Sequence, residues 1–149
     1  MAEKIKLDSV DRQILHDLQD HGRMTNVDLA KNAGISAPPC LRRVRALEEA
    51  GIIKGYHADI DSDALGYSVQ VFAFVGLTSQ AETDLQDFEL LVSTWPQVRE
   101  CHMLMGETDF LLKIVAHDWD HFQKFLTSHL TPAKNASHVK SALSIRSAK

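Results

Sequence analysis

Three arginines within four positions, Arg42, Arg43 and Arg45, carry the chemistry that spacing alone supports in this chain. A guanidinium is permanently charged, and its planar fork of donors matches phosphate oxygens or the guanine edge in a major groove. On a helix, Arg42 and Arg45 fall one turn apart on one face, with Arg43 beside them. Just ahead stand Ser36, Pro38 and Pro39. Ser36 offers a hydroxyl to a phosphate or base edge. The prolines have no amide hydrogen, so they offer shape and apolar contact, for instance to a thymine methyl. DNA binding is therefore expected at Ser36, Pro38, Pro39, Arg42, Arg43 and Arg45, with the polar affinity on the arginines. Glu49 lies four residues beyond Arg45, so an ion pair along the helix is an equally good use of that residue.

The elements that must hold these groups are legible on either side. Ser36 suits an N-cap, and prolines suit a first helical turn. Because the residue before a proline avoids helical geometry, the regular helix is expected from Pro39. Leu41, Val44, Leu47 and Ala50 make its apolar stripe, and Gly51 stops it. Upstream, Leu7, Asp8 and Asp11 have the pattern of a stapled and capped helix start, followed by Val10, Ile14, Leu15 and Leu18 facing inward. Gly22 ends that helix. Thr25 and Asp28 have capping-box spacing, ahead of Val27, Leu29, Ala30 and Ala33 as a buried side. Gly34 gives a tight turn and Ile35 plugs the core. Three short helices with this punctuation make a helix-turn-helix, and Arg42, Arg43 and Arg45 lie on its recognition helix. Ile52, Ile53 and Tyr56 suggest a short strand, or wing, after it.

Charge is patterned rather than uniform. The chain of 149 residues carries a net charge of −4, which weakly disfavours a nucleic-acid partner. Residues 1–57 hold nine Lys/Arg against eight Asp/Glu, a balance of +1, whereas 58–149 hold seven against twelve, a balance of −5. A local positive face is enough for phosphate, and the acidic remainder is expected to sit away from it. At 44% hydrophobic and 24% charged the composition is that of an ordinary soluble chain. No apolar run reaches membrane-spanning length and the N-terminus lacks a signal-peptide core, so a cytoplasmic location is expected. Cys40 and Cys101 form no metal-type spacing and are expected to be reduced, Cys40 as a packing residue.

Residues 58–66 read as a linker rich in Asp59, Asp61 and Asp63. Those aspartates alternate as in a calcium loop but lack its central glycine and closing glutamate. The period changes from Tyr67. Val69, Val71, Ala73 and Val75 alternate with Gln70, Phe72, Phe74 and Gly76, and both sets are largely apolar, as in a strand covered on both faces. A helix is expected over 81–94, strands over 98–105 and 110–116, a helix over 118–130 with Trp119 inward, and a last strand over 139–145. This order is the split βαβ, ferredoxin-like pattern. The overall expectation is an α+β chain, with a winged helix-turn-helix at 1–57 and a βαββαβ domain at 67–149. Such a sheet buries one face on its own helices. A second copy of the chain is the simplest cover for the other, so a homodimer is expected.

The residues at 7–15 (L-D-S-V-D-R-Q-I-L), 22–30 (G-R-M-T-N-V-D-L-A), 36–56 and 106–113 (G-E-T-D-F-L-L-K) resemble the Lrp/AsnC family of bacterial regulators over nearly the whole chain. The resemblance implies a DNA-binding transcriptional regulator with a ligand-sensing RAM domain, assembled as dimers and often as octamers. It also implies an amino-acid effector bound by the loop at 106–109 where dimers meet. There Gly106 would let backbone amides approach a carboxylate, and Glu107 or Asp109 would face an ammonium group. A plain hairpin turn with solvated acids is the competing description of that loop. Met105 departs from the family, which commonly has Thr or Ser there, and puts an apolar chain in place of a hydroxyl. Ser141 matches a position where relatives often carry a hydroxyl. His102, on the strand into the loop, fits a pocket wall less well than an exposed strand histidine.

No H-E-x-x-H, G-x-S-x-G or phosphate-loop pattern occurs, so neither an enzyme nor a cofactor is expected. His117 and His121, with Asp118 or Asp120, lack a third metal ligand of evident placement. Two other functions remain to be separated from DNA binding. Sirohaem decarboxylases resemble the same family and share its two-domain layout, but a tetrapyrrole enzyme has no need of the arginine cluster. An interaction protein using the helix-turn-helix only for assembly would show no salt-dependent DNA binding.

Overall fold

The computed structural model describes residues 6–147. The chain divides into two compact units between Ile60 and Asp61. The break falls inside the acidic 58–66 stretch.

The first unit is three helices, α1 (Ser9–Asp20), α2 (Asn26–Asn32) and α3 (Ala37–Glu49). Asp8 and Asp11 close a reciprocal capping box on α1: the Asp11 amide donates to Asp8 Oδ1 at 2.9 Å and the Asp8 amide to Asp11 Oδ2 at 3.1 Å. At α2 the box is altered. The Thr25 hydroxyl accepts from the Asp28 amide and donates to Asp28 Oδ2 at 2.6 Å, so Asp28 answers the side chain rather than the backbone. Helices α2 and α3 both end in a Schellman motif. Gly34 and Gly51 each sit at φ +69°, and the following Ile35 and Ile52 amides return to Ala30 O and Leu47 O at 3.0 Å. These left-handed positions suit glycine; Gly34 sets the turn that carries the chain from α2 into α3, and Gly51 ends α3.

Ile14, Leu29, Ala30, Cys40 and Leu47 form the buried core of this unit, with Leu18, Val44 and Ile53 packed around it. Burying five such side chains contributes about 1.5–3 kcal/mol for each large aliphatic one. Three expectations change here. Helix α3 starts at Ala37 rather than Pro39, because Ser36 takes the extended cap geometry and the prolines fall at N2 and N3. Val27 is 66% exposed, because in so short a helix it lies some 200° around from Leu29. No strand forms directly after α3, so Ile52, Ile53 and Tyr56 run as irregular chain, and of these three only Ile53 is half-buried.

The second unit is a four-stranded antiparallel sheet in the order β2-β3-β1-β4, from β1 (Val69–Leu77), β2 (Val98–Met103), β3 (Phe110–Ala116) and β4 (Ala136–Leu143). Helix α4 (Glu82–Ser93) and helix α5 (Trp119–Phe125), which widens into a π-type turn at Leu126–Leu130, supply the other side of its core. Val71, Ala73 and Val75 meet Phe110, Leu112, Ile114, Phe88 and Phe122 there, all buried. The opposite parity, Phe72, Phe74 and Leu111, is only half-buried, because nothing in the unit covers that face. Strand β2 stops at Met103 and not 105, and β4 runs earlier than 139–145, leaving Ile145 93% exposed. Asp118 caps α5 instead of beginning it, and Trp119 in its first turn is 53% exposed. Among the described residues no helix is long and apolar enough to cross a membrane.

A candidate nucleic-acid interface and an effector loop

The start of α3 has an unusual hydrogen-bond economy. An N-cap hydroxyl ordinarily accepts from the N2 or N3 amide. Here N2 is Pro38 and N3 is Pro39, which have no amide hydrogen, and the Ser36 side chain makes no capping bond. Its backbone carbonyl still starts the helix, accepting from the Cys40 amide at 3.3 Å. The prolines thus leave an exposed hydroxyl unspent at the tip of the helix. Exposed Pro38 and half-buried Pro39 stand beside it.

The three arginines divide. Helix α3 buries Cys40 and Leu47 and half-buries Val44, so its inward stripe is centred one position earlier than Leu41–Val44–Leu47 suggests, and Leu41 is 39% exposed. Arg43, three residues after Cys40, falls at the edge of that stripe and turns back to α1. One of its terminal nitrogens, Nη1, lies 2.8 Å from Asp8 Oδ2 and 2.7 Å from Asp11 Oδ1. It is a brace between the recognition helix and the cap of α1, not a free cation. This corrects the picture of three outward guanidiniums. Arg42 and Arg45 are exposed and make no ion pair among the described residues. The Arg45–Glu49 pair does not form, and Glu48 instead accepts the Tyr56 hydroxyl at 2.8 Å.

Sequence reasoning missed the brace. Its signal was present: two aspartates at capping spacing, and an arginine one helical turn from the buried Cys40. The Asp8 carboxyl is held below its usual 3.8, first by the Asp11 amide and then by Arg43, against the opposing effect of burial. A lowered folded-state pKa adds stability that is complete above the unfolded value and is lost as pH falls through the lowered one. Arg43→Ala should therefore shift the titration of Asp8 upward, toward its unfolded value, and shrink the part of the stability that is lost on acidification between the two. Carboxyl chemical shifts in the full chain check this, and identical Asp8 titrations in wild type and variant would contradict it.

The hairpin between β2 and β3 holds the expected effector residues. Met105 is fully exposed and Gly106 has open space where a side chain would go. Nothing within the unit requires glycine at 106. Glu107 is exposed. Asp109 is committed: its Oδ2 accepts from the buried Leu77 amide at 2.6 Å, and its own amide donates to Val75 O at 3.0 Å. It locks the hairpin to the end of β1. Removing it strands a buried amide, so Asp109→Ala should cost about 1–3 kcal/mol in denaturant unfolding. An unchanged midpoint would refute that role. Ser141 pairs with Ala73, on the far side of β1 from the hairpin, so one chain does not bring it to the loop. His102 sits in a surface network with Glu100 and Lys113, the exposed-histidine reading. Glu100 is held below the usual carboxylate range by Lys113 first and His102 second. His121 is tied to the α5 cap through Asp118, and no group of three or more metal-ligating side chains is assembled among the described residues.

Comparison with known proteins fits this geometry at both ends of the chain. A winged helix-turn-helix DNA-binding family matches residues 7–54, and the Lrp/AsnC ligand binding domain matches residues 70–149. The chain is 49% identical over 149 residues to the leucine-responsive regulatory protein of Rhizobium meliloti, covering 100% of this chain and 96% of that one.

The chain belongs to the Lrp/AsnC family.

This Lrp/AsnC protein is also 40% identical over 147 residues to the Bkd operon transcriptional regulator of Pseudomonas aeruginosa, covering 99% of this chain and 94% of that one. Its fold matches the crystal structure of a Neisseria meningitidis transcriptional regulator in complex with L-Met, with a TM-score of 0.89, 35% identity and coverage of 97% and 93%. It is therefore a DNA-binding regulator with an effector-binding RAM domain, and not a tetrapyrrole decarboxylase.

Proposed function

We propose that this regulator reads its operator through the N-terminal end and outer face of α3. Arg42 and Arg45 reach phosphate or guanine, the Ser36 hydroxyl donates to the DNA, and Pro38 and Pro39 lie against the groove floor. Arg43 acts at one remove, by setting the tilt of α3. The observation that carries this reading is the split among the arginines: two carry no ion-pair partner among the described residues, and the third is tied to α1. Binding should weaken steeply with salt, as phosphate contacts release counterions. A mobility-shift series across ionic strength tests it, and an affinity indifferent to salt would refute it.

The operating unit in this reading is a homodimer joined through the open sheet face around Phe72, Phe74 and Leu111, with dimers gathering to an octamer. A two-fold protein calls for a repeated or palindromic half-site. The effector is an amino acid held where hairpins of neighbouring dimers meet. The relatives support that class, one being named leucine-responsive and another crystallised with L-Met. The Gly106 amide region takes the carboxylate. Because one Asp109 oxygen is used within the fold, Glu107 is the better ammonium partner. Ser141 would come from another copy of the chain, and Met105 would press its thioether on the ligand side chain. Isothermal calorimetry with single amino acids tests the site; no binding by any of them would remove it.

A further inference from the structure

A cavity of about 210 Å³ opens at the far end of β3 from the hairpin, and its lining groups suit a ligand different from an amino acid. Its polar lining is Arg99, His117 and His121, with Gln97. Its apolar walls are Pro96, Val115 and Ala116. Tyr67 forms a shared face: its ring stacks on His117 at 4.3 Å and lies 5.8 Å from the Arg99 guanidinium. Arg99 makes no ion pair among the described residues. The seven residues of β3 set this cavity roughly 20 Å from the hairpin, at about 3.4 Å per residue.

The hydrogen bonds around the two imidazoles decide what they offer. His117 Nδ1 lies 2.9 Å from the Gly66 carbonyl oxygen, which can only accept, so Nδ1 carries the proton. His121 Nδ1 lies 2.8 Å from the Asp118 carboxylate and is a donor for the same reason. In the neutral form of either ring Nε2 is then a lone-pair acceptor. The rings meet edge to face at 5.8 Å, so the two imidazoles share one corner of the cavity. The cavity thus pairs one permanent cation with two acceptors, against apolar walls. A carboxylate answers Arg99, and a donor beside it answers the imidazoles. That donor is neutral: among the described residues no acidic side chain lines the cavity to offset an ammonium group, the Asp118 carboxylate being held at His121 Nδ1, and Arg99 repels one.

We propose that Arg99, His117 and His121 form a second ligand site in the RAM domain, separate from the hairpin, that binds a small α-hydroxy carboxylate. The carboxylate sits on Arg99, the hydroxyl donates to an imidazole Nε2, and the alkyl group lies on Pro96, Val115 and Ala116.

Calorimetry on the full chain tests this with lactate and propionate, which differ by the hydroxyl. Lactate should bind about tenfold more tightly, since a site built around a hydrogen bond rejects the analogue that lacks it. Arg99→Gln should weaken both acids. His121→Gln and His117→Phe should bring lactate down toward propionate, the phenylalanine keeping the stack on Tyr67. Glu107→Ala should leave lactate unchanged, which separates this site from the hairpin. Equal binding of the two acids, no lactate binding by the wild type, or Zn²⁺ binding that needs both histidines while lactate does not bind would overturn the proposal. Should His117→Phe fail to fold, the wild-type comparison of the two acids decides it alone.

Discussion

Replacing Arg42 and Arg45 together by alanine should abolish operator binding at physiological salt while leaving the fold and assembly intact. A well-placed arginine contact to DNA contributes about 1–3 kcal/mol, and the proposed two-fold assembly would lose each contact twice. Arg42→Ala alone should therefore weaken a full operator by about 2–6 kcal/mol, and the double variant by more. A guanidinium on phosphate lowers affinity for all sequences and flattens the salt slope by about one per contact, whereas one on guanine relaxes specificity at a single position. Mobility shifts on operator and scrambled duplexes separate the two. Neither arginine touches the core of its unit, so circular dichroism should be unchanged. Arg43→Ala should behave differently. It leaves Asp8 and the buried Asp11 facing each other without their cation, so it should lower thermal stability as well as DNA affinity.

The open sheet face provides the other large effect. Phe72→Lys with Phe74→Lys should convert the proposed dimer to monomers in sedimentation velocity. Lysine is the sharper choice because Phe72 pairs with Lys113 across β1–β3, and Phe74 with Lys140 across β1–β4. Aspartates there would be neutralised by those neighbours; lysines add like charge. Each phenylalanine left in water forfeits about 1.5–3 kcal/mol of burial, again counted twice across a two-fold axis. Both residues are half-buried and outside the buried cluster under the helices, so the monomer should remain folded. A dimer that survives both substitutions would put the interface elsewhere.

What was legible beforehand followed local rules. Caps, glycine stops and strand periods depend on neighbours in sequence. Asp8 with Asp11, Gly34, Gly51 and the β3 span 110–116 were therefore readable, as was the strand-helix-strand-strand-helix-strand order. What stayed hidden lay where a distant segment decides. Arg43 looked equivalent to Arg42 until α1 was in place, because i, i+3 spacing from Cys40 turns it inward. Asp109 looked wholly free for a ligand until β1 presented the Leu77 amide to one of its oxygens. Ile52 and Ile53 have strand composition, but a strand needs a partner, and the described residues of this unit offer none. Ser141 and the hairpin share a family pattern, yet β1 lies between them in one chain. The effector loop was readable as a loop and not as a pocket, because other copies of the chain would have to supply its walls.

The central claim concerns where three side chains go when DNA is bound. A crystal structure of the dimer on its operator measures this directly. It should place Arg42 and Arg45 within hydrogen-bonding distance of phosphate or base edges, the Ser36 hydroxyl on the DNA, and Arg43 still on Asp8 and Asp11. Arg42 and Arg45 standing clear of the duplex, with another surface in the groove, would contradict the account.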